Sequence, residues 1–550
     1  MKKLFILLAL VMSFTMALTF TAFAVEGGDT ITISKGTLST LDGQVFSAYK
    51  IFDLTKGVDS EGEDTYAYIL NSAYAGFTDY SPSDSLAEYI KGCEKDDAAL
   101  FALSVKLMEY ILSEGITADA TATGADGDDV VIDGLDRGYY LVTGSGVKDY
   151  GNDETVVVES AYALVSTGDS EAGVPDIVLK ADAPDINKWV WNQHDEFVDD
   201  EWQEWIDVSI GDTVNFMFDS MKVPDLRGYT AYTFIIHDDM YKGLTFDPTT
   251  VVVTIGDNTL TEVDDYDVVF PADDDCTFDI VFRTDLFFEY ETGDKIEVLF
   301  SATLNGDAMI GPDGNPNEVQ LEFSNTPYPK VDGEGKPTGD DTGRTPWHKV
   351  IVYTGVLEIL KYTKEQLADE SYKKNPLAGA KFILKRGESE VALVLVTLGD
   401  VTEPTVYRPA MAGETPVDEM TTPESGLIRI EGLGASYATY TYVDDILDSI
   451  EDWDDFGDYS LVETASPEGY NKLEADITST LYFDHAKKQW YILDGDGNVF
   501  THLEIENNAG NRFPDTGGIG RIIIYIVGTA IVVGAGATLM IRRRINLVKK

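Results

Sequence analysis

Cysteine is almost missing from this chain. Only Cys93 and Cys276 occur among its 550 residues, and they fall in what read as different domains. A disulfide framework, the common staple of small exported domains, is therefore excluded. Each cysteine reads as a small buried apolar residue rather than a reactive one. Positive charge is scarce as well: 40 Lys and Arg stand against 97 Asp and Glu, a formal net charge of −57. So acidic a surface repels phosphates, which excludes nucleic acid as a partner. Histidine occurs only at 194, 237, 348, 485 and 502, without metal-ligand spacing, so no metal and no cofactor is expected. Apolar residues are not scarce. A hydrophobic content of 44%, with 29 Tyr and 25 Phe, is too rich for a disordered acidic chain, and the protein reads as globular with an acidic coat.

A chain of this length is expected to hold several domains. Its start, Lys2 and Lys3 followed by an apolar run from Leu4 to Phe20 and then Ala22-Phe23-Ala24, has the order of a secretory signal peptide over 1–24, cleaved after Ala24 so that the mature chain begins at Val25. Near the other end, Ile522 to Ile541 carries no charge and is long enough to cross a bilayer. The transmembrane helix is expected over 519–541. Arg542, Arg543, Arg544, Lys549 and Lys550 then hold the 542–550 tail on the cytoplasmic side. Just upstream stands Phe513-Pro514-Asp515-Thr516-Gly517, which resembles the sortase sorting signal Leu-Pro-x-Thr-Gly with Phe in its first position. The resemblance implies cleavage between Thr516 and Gly517 by a membrane transpeptidase, whose cysteine thiolate attacks the Thr carbonyl and hands the chain to an amine. The nucleophile then belongs to the partner enzyme.

Three regions lie between these ends. In 25–181, alternating stretches such as Thr30-Ile31-Thr32-Ile33 and short apolar runs such as Val156-Val157-Val158 read as strands. Leu86 to Leu112 reads as a helical interruption, because Leu100, Leu103, Leu107, Met108 and Ile111 recur at helical spacing. The 182–345 region is again strand-rich, and the Gly, Asp and Lys of Asp332 to Arg344 read as a linker. The 346–510 region echoes the first: Ile132-Asp133-Gly134-Leu135 against Ile430-Glu431-Gly432-Leu433, which suggests related folds. The expected class is all-β, with immunoglobulin-like β-sandwiches strung in tandem.

Tyr459-Ser460-Leu461-Val462-Glu463-Thr464-Ala465-Ser466-Pro467-Glu468-Gly469-Tyr470 resembles the E-box of Gram-positive shaft pilins, with Ala-Ser-Pro where x-Ala-Pro is usual. Upstream, Leu357-Glu358-Ile359-Leu360-Lys361 and Leu377-Ala378-Gly379-Ala380-Lys381-Phe382 resemble the first strands of their collagen-adhesin B-type domain. The resemblance covers nearly the whole mature chain. It implies an N-terminal pilin domain followed by two isopeptide-forming domains of immunoglobulin type. In the last, it implies an autocatalytic bond between Lys361 and Asn507, which follows Leu503-Glu504-Ile505-Glu506, promoted by Glu463. The chemistry is reasonable: burial favours a neutral amine able to attack and a protonated carboxyl able to polarise the amide and shuttle protons. In the middle domain it implies Lys188 and Asn325 as the bonded pair and Asp238, chosen over Asp239, as the acid. No bond is expected in the first domain.

The family joins its subunits through a lysine near the junction of the first two domains. Lys180 sits there without the usual Tyr-Pro before it; Lys330, in Tyr328-Pro329-Lys330, is the alternative. Asp341-Thr342-Gly343 and Asp515-Thr516-Gly517 spell the aspartic-protease triplet but lack its apolar strand ends. Asp494-Gly495-Asp496-Gly497-Asn498 begins like a calcium loop but has no glutamate at the twelfth position, and it reads as a hairpin turn. The implied role is a structural subunit of a covalent surface pilus supporting adhesion, not an enzyme. Its implied partners are a pilin-specific or housekeeping sortase, other copies of itself, minor pilins, peptidoglycan and host surface ligands. A singly anchored wall adhesin or minor pilin with the same domains is the alternative.

Overall fold

The computed structural model describes residues 28–510 apart from 59–63, 81–84, 94–97, 128, 161, 168–174, 180, 182, 192–201, 227, 328–340, 444–445, 452–454 and 495–497. The expected signal peptide (1–24), both polymerisation lysines (Lys180 and Lys330), the sorting signal (513–517), the membrane helix (519–541) and the basic tail (542–550) lie outside the described residues. Among the described residues, no helix is long and apolar enough to cross a membrane.

Among the described residues the chain folds into β-sheets, with two α-helices, Leu86–Gly92 and Ala98–Glu114, both in the first region. There a five-stranded sheet is organised around the long Val45–Val58 strand. Beside it Asp29–Ser34 lies between Asp176–Val178 and Val130–Leu135. The longer helix turns Leu103, Leu107 and Ile111 inward, a spacing of four that keeps all three on one stripe, and they pack with Phe52 and Leu141 of the sheet. The helical interruption expected from Leu86 to Leu112 is thus two helices rather than one.

The second region is a two-sheet sandwich. One sheet runs through Asn187–Trp191, Thr213–Lys222, Lys295–Leu304 and Leu244–Ile255. The facing sheet runs through His348–Tyr353, Asn315–Ser324, Phe234–Met240 and Phe278–Phe282. Thr213–Lys222 and Lys295–Leu304 alternate buried and open positions, as a half-covered strand must. Their inward Phe216, Phe218 and Phe300 meet Phe234 and Phe278 of the other sheet in one core. The third region repeats the architecture: Gly355–Gln366 pairs with Leu427–Leu433 and Leu503–Glu506 in one sheet, and Lys381–Arg386, Asp458–Ala465 and Ile477–Asp484 form the other.

One boundary moves. His348–Tyr353, expected to open the third domain, pairs antiparallel with Asn315–Ser324, with Asn317 opposite Val350, and parallel with Trp205–Asp207. It therefore closes the second sandwich, and the third begins at Gly355–Gln366. Strand pairing is non-local, so no run of residues in the sequence reports it. The stretch expected to be a linker likewise ends in a short strand, Thr342–Arg344, paired to Asn315–Ser324.

The echo between the first and third regions has a physical basis. In both, the strand carrying it pairs with the opening strand: Ile31 opposite Ile132, and Leu357 opposite Ile430. In both, the register slips near the glycine, at Gly134 (φ +72°) and Gly432 (φ +81°). A left-handed residue at a bulge is the place for glycine. A methyl on Gly432 would stand 2.4 Å from Ile210 Cδ1 of the second domain, whereas one on Gly134 meets nothing within 4 Å. Gly134→Ala should therefore cost about 1–2 kcal/mol, the price of a left-handed alanine. Gly432→Ala should cost clearly more, because the Ile210 collision adds to it. Calorimetric melting of the two variants compares them directly.

Candidate functional site

In the third domain the inward positions of Gly355–Gln366 run Gly355, Leu357, Ile359 and then Lys361. The alternation thus delivers an amine to a place built for an apolar side chain, and Lys361 is 0% exposed. Its neighbour Leu503–Glu506 runs parallel, with Lys361 opposite Ile505, and the amide of Asn507 donates to the Tyr362 carbonyl at 2.9 Å. That bond holds Asn507 beside the lysine. Across the sandwich, Glu463 lies opposite Phe382 and points into the same interior.

The three side chains meet. Lys361 Nζ donates to Asn507 Oδ1 at 2.6 Å and lies 3.1 Å from Glu463 Oε1. Asn507 Nδ2 donates to that same Oε1 at 2.8 Å. The other carboxylate oxygen accepts from the Leu473 amide at 2.7 Å, which fixes the rotamer. Nζ also stands 5.4 Å from the Phe382 ring. Burial holds the Lys361 amine below the ordinary lysine range despite the pull of Glu463. One oxygen therefore touches both the nucleophile and the nitrogen that would leave. The carbonyl Oδ1 takes its hydrogen bond from Lys361, while Glu463 faces Nζ and Nδ2.

The second domain holds a comparable cluster. Lys188 and Asp238 are both fully buried, on opposite sheets, and Lys188 Nζ donates to Asp238 Oδ2 across the core. The rings of Phe216, Phe218 and Phe300 surround Nζ at 5.3–5.7 Å. Burial lowers the Lys188 amine to about 8 and raises the Asp238 carboxyl to about 6. Asp239, one residue on, faces solvent.

Asn325 is not at this cluster. Its side-chain amide donates to the Val157 carbonyl of the first domain at 3.3 Å, and its backbone carbonyl accepts from the Glu159 amide at 2.7 Å. The register explains why: Asp238 lies opposite Val319, so Asn325 is six residues further along, roughly 20 Å at strand rise. The residue that does share the interior is Asn317, opposite Met240 on the next strand. It is 0% exposed, and neither its Oδ1 nor its Nδ2 has a hydrogen-bond partner; Asp238 Oδ1 also lacks one. Its chain neighbour Glu318 offers its carbonyl to Lys188 Nζ at 3.4 Å. Asn315, two residues back and equally buried, is instead satisfied by Met309 and Val352. Sequence reasoning missed Asn317 because it took the asparagine at the strand end, by analogy with Asn507.

In the first domain no described lysine is fully buried. Lys50 is the most enclosed with a 12% exposed side chain, and it pairs with Asp53 at 2.7 Å.

No family model matches the chain. Over 289 residues it is 24% identical to the trypsin-resistant surface T6 protein of Streptococcus pyogenes serotype M6, covering 47% of this chain and 51% of that protein. Over 312 residues it is 27% identical to the fimbrial subunit type 1 of Actinomyces viscosus, covering 55% of each. The chain is thus similar, at low identity, to a surface protein and a fimbrial subunit. It spans about half the length of the curated relatives it matches. Among solved structures, the three-domain T6 backbone pilin of Streptococcus pyogenes aligns with a TM-score of 0.48 at 15% identity, over 90% of this chain and 96% of that one.

Proposed function

We propose that this chain is a structural subunit of a covalently polymerised surface pilus, stabilised by intramolecular isopeptide bonds. The observation that carries the reading is the buried Lys361–Glu463–Asn507 cluster. A lysine, a carboxylate and an asparagine closed off from water within 3.1 Å have little use as a stabilising ion pair, since desolvation offsets the attraction. They are the reactants of an amide exchange. Glu463 takes a proton from Lys361 Nζ, the neutral amine attacks Asn507 Cγ, the proton passes on to Nδ2, and the second proton that Nζ sheds as the new amide forms returns to Glu463. Ammonia leaves and a Lys–Asn amide remains. The same step joins Lys188 to Asn317, with Asp238 as proton carrier, and it satisfies the orphaned amide of Asn317. Such orphans cost about 1–3 kcal/mol and are rare in native proteins.

Each bond ties the opening strand of a sandwich to a distant one. Tension then runs through covalent bonds rather than through ladder hydrogen bonds worth about 1 kcal/mol each. The Phe513–Gly517 signal is cut between Thr516 and Gly517 by sortase, and Lys180, with Lys330 as the alternative, supplies the accepting amine from the next copy. The filament is anchored to peptidoglycan at the cell surface, carrying minor pilins and meeting host ligands. The relatedness to a fimbrial subunit supports this reading. The test is the intact mass of residues 25–512 followed by tryptic mapping. Two ammonia losses, with Lys361–Asn507 and Lys188–Asn317 cross-linked peptides, are expected. An unmodified mass sinks the mechanism.

A further inference from the structure

We propose that His237, Asp274, Cys276 and Asp279 form a binding site for one zinc-like divalent cation, on the flank of the second domain. The residues come from two stretches that the sequence keeps apart. His237 lies on Phe234–Met240, directly opposite Asp279 on Phe278–Phe282; Asp274 and Cys276 lie in the loop that leads into the latter strand. Their ligand atoms all lie within 4.8 Å of one another. His237 Nδ1 stands 2.8 Å from Asp279 Oδ1 and 3.4 Å from Asp274 Oδ2. In a tetrahedron of ligands at zinc distances, neighbouring ligand atoms stand roughly 3.3–3.8 Å apart. Small side-chain rotations therefore reach that geometry.

Three further features favour a cation over a simple ion-paired cluster. The donor set mixes imidazole, thiol and carboxylate, which suits zinc or cobalt and not calcium or magnesium, whose ligands are oxygens alone. The histidine is oriented from behind: its Nε2 faces Glu322 Oε2 at 3.4 Å, and Glu322 is itself gripped by Arg344 Nε at 2.8 Å and Thr342 Oγ1 at 3.0 Å. A pinned carboxylate at the far nitrogen is the support that metal-bound histidines have. The loop is also held in place. The Cys276 amide donates to Asp274 Oδ1 at 2.8 Å, and Thr277 ties both ways to the histidine strand, through its amide to the Asp238 carbonyl and through its hydroxyl from the Met240 amide.

On binding, the Cys276 thiol gives its proton to solvent and a metal–sulfur bond forms, with no change of oxidation state. The ion would then clip the 271–277 loop to the strand that carries Asp238, in a domain with no disulfide. This inference stands independently of the pilus reading.

Cobalt(II) is the probe, titrated into the whole chain purified in detergent without a histidine tag. One equivalent should produce a thiolate-to-cobalt charge-transfer absorption, which zinc abolishes by displacement, and native mass spectrometry should find one zinc per chain. Cys276→Ser should lose the absorption, and Cys93→Ser should keep it. Asp274 is exposed, so Asp274→Asn should fold normally and weaken binding by roughly tenfold or more. No thiolate–cobalt absorption in the unmodified chain overturns the proposal. So does absorption that survives Cys276→Ser, or cobalt affinity unchanged in Asp274→Asn.

Discussion

Glu463→Gln should abolish the third-domain cross-link while leaving the second-domain one intact, so that the mass deficit falls from two ammonia losses to one. Glutamine keeps the shape of the side chain and can still accept from the Leu473 amide, but it cannot carry a proton from Lys361 to Asn507. The thermodynamic effect should be large. The bond closes a loop of 146 residues, and a cross-link of that span restricts the unfolded chain by about 5 kcal/mol on the loop-entropy estimate used for disulfides. In a domain of this size that corresponds to a drop of about 10–20 °C in melting temperature. The lysine left behind deepens the loss, since it is buried opposite a group with no charge to balance it, and such broken pairs cost about 3–5 kcal/mol. Peptide mapping and scanning calorimetry read the two effects separately. A deficit still equal to two ammonia losses would show that Glu463 carries no proton in the reaction.

Much of this was legible in the residues. The all-β sandwiches followed from alternation and turn spacing, and the third-domain cluster followed residue by residue from the match around Glu463. The glycine echo was legible too, because a bulge needs a left-handed residue wherever the same pairing recurs. What was not legible depends on pairing across the sheet. The strand His348–Tyr353 has the same alternating pattern whichever domain it joins. Asn317, inside Asn315–Ser324, and Asn325, just past its end, have equal parity, so no periodicity separates them; only the register against Phe234–Met240 does. The histidine at 237 looked solitary for the same reason. Its neighbours Asp274, Cys276 and Asp279 come within reach only through the antiparallel pairing of two strands separated by a long excursion.

That register is open to a direct experiment. Asn317→Ala should erase the second-domain ammonia loss and leave Lys188 as an unbonded amine held by Asp238, whereas Asn325→Ala should leave the loss intact. The cross-link at stake closes a loop nearly as long as that in the third domain, so the expected destabilisation is again about 5 kcal/mol. Asn325→Ala removes only a 3.3 Å hydrogen bond to the Val157 carbonyl at the junction with the first domain, worth about 1 kcal/mol or less. The contrast is sharpened by what Asn317 does when the bond is absent. Its amide then has no partner in an apolar core, so a chain trapped before reaction carries a penalty that the variant escapes, and alanine should melt slightly above the unreacted wild-type domain while melting far below the reacted one. An ammonia loss that persists in Asn317→Ala, with a Lys188–Asn325 peptide in the digest, would mean that the strand slides by several residues before it reacts.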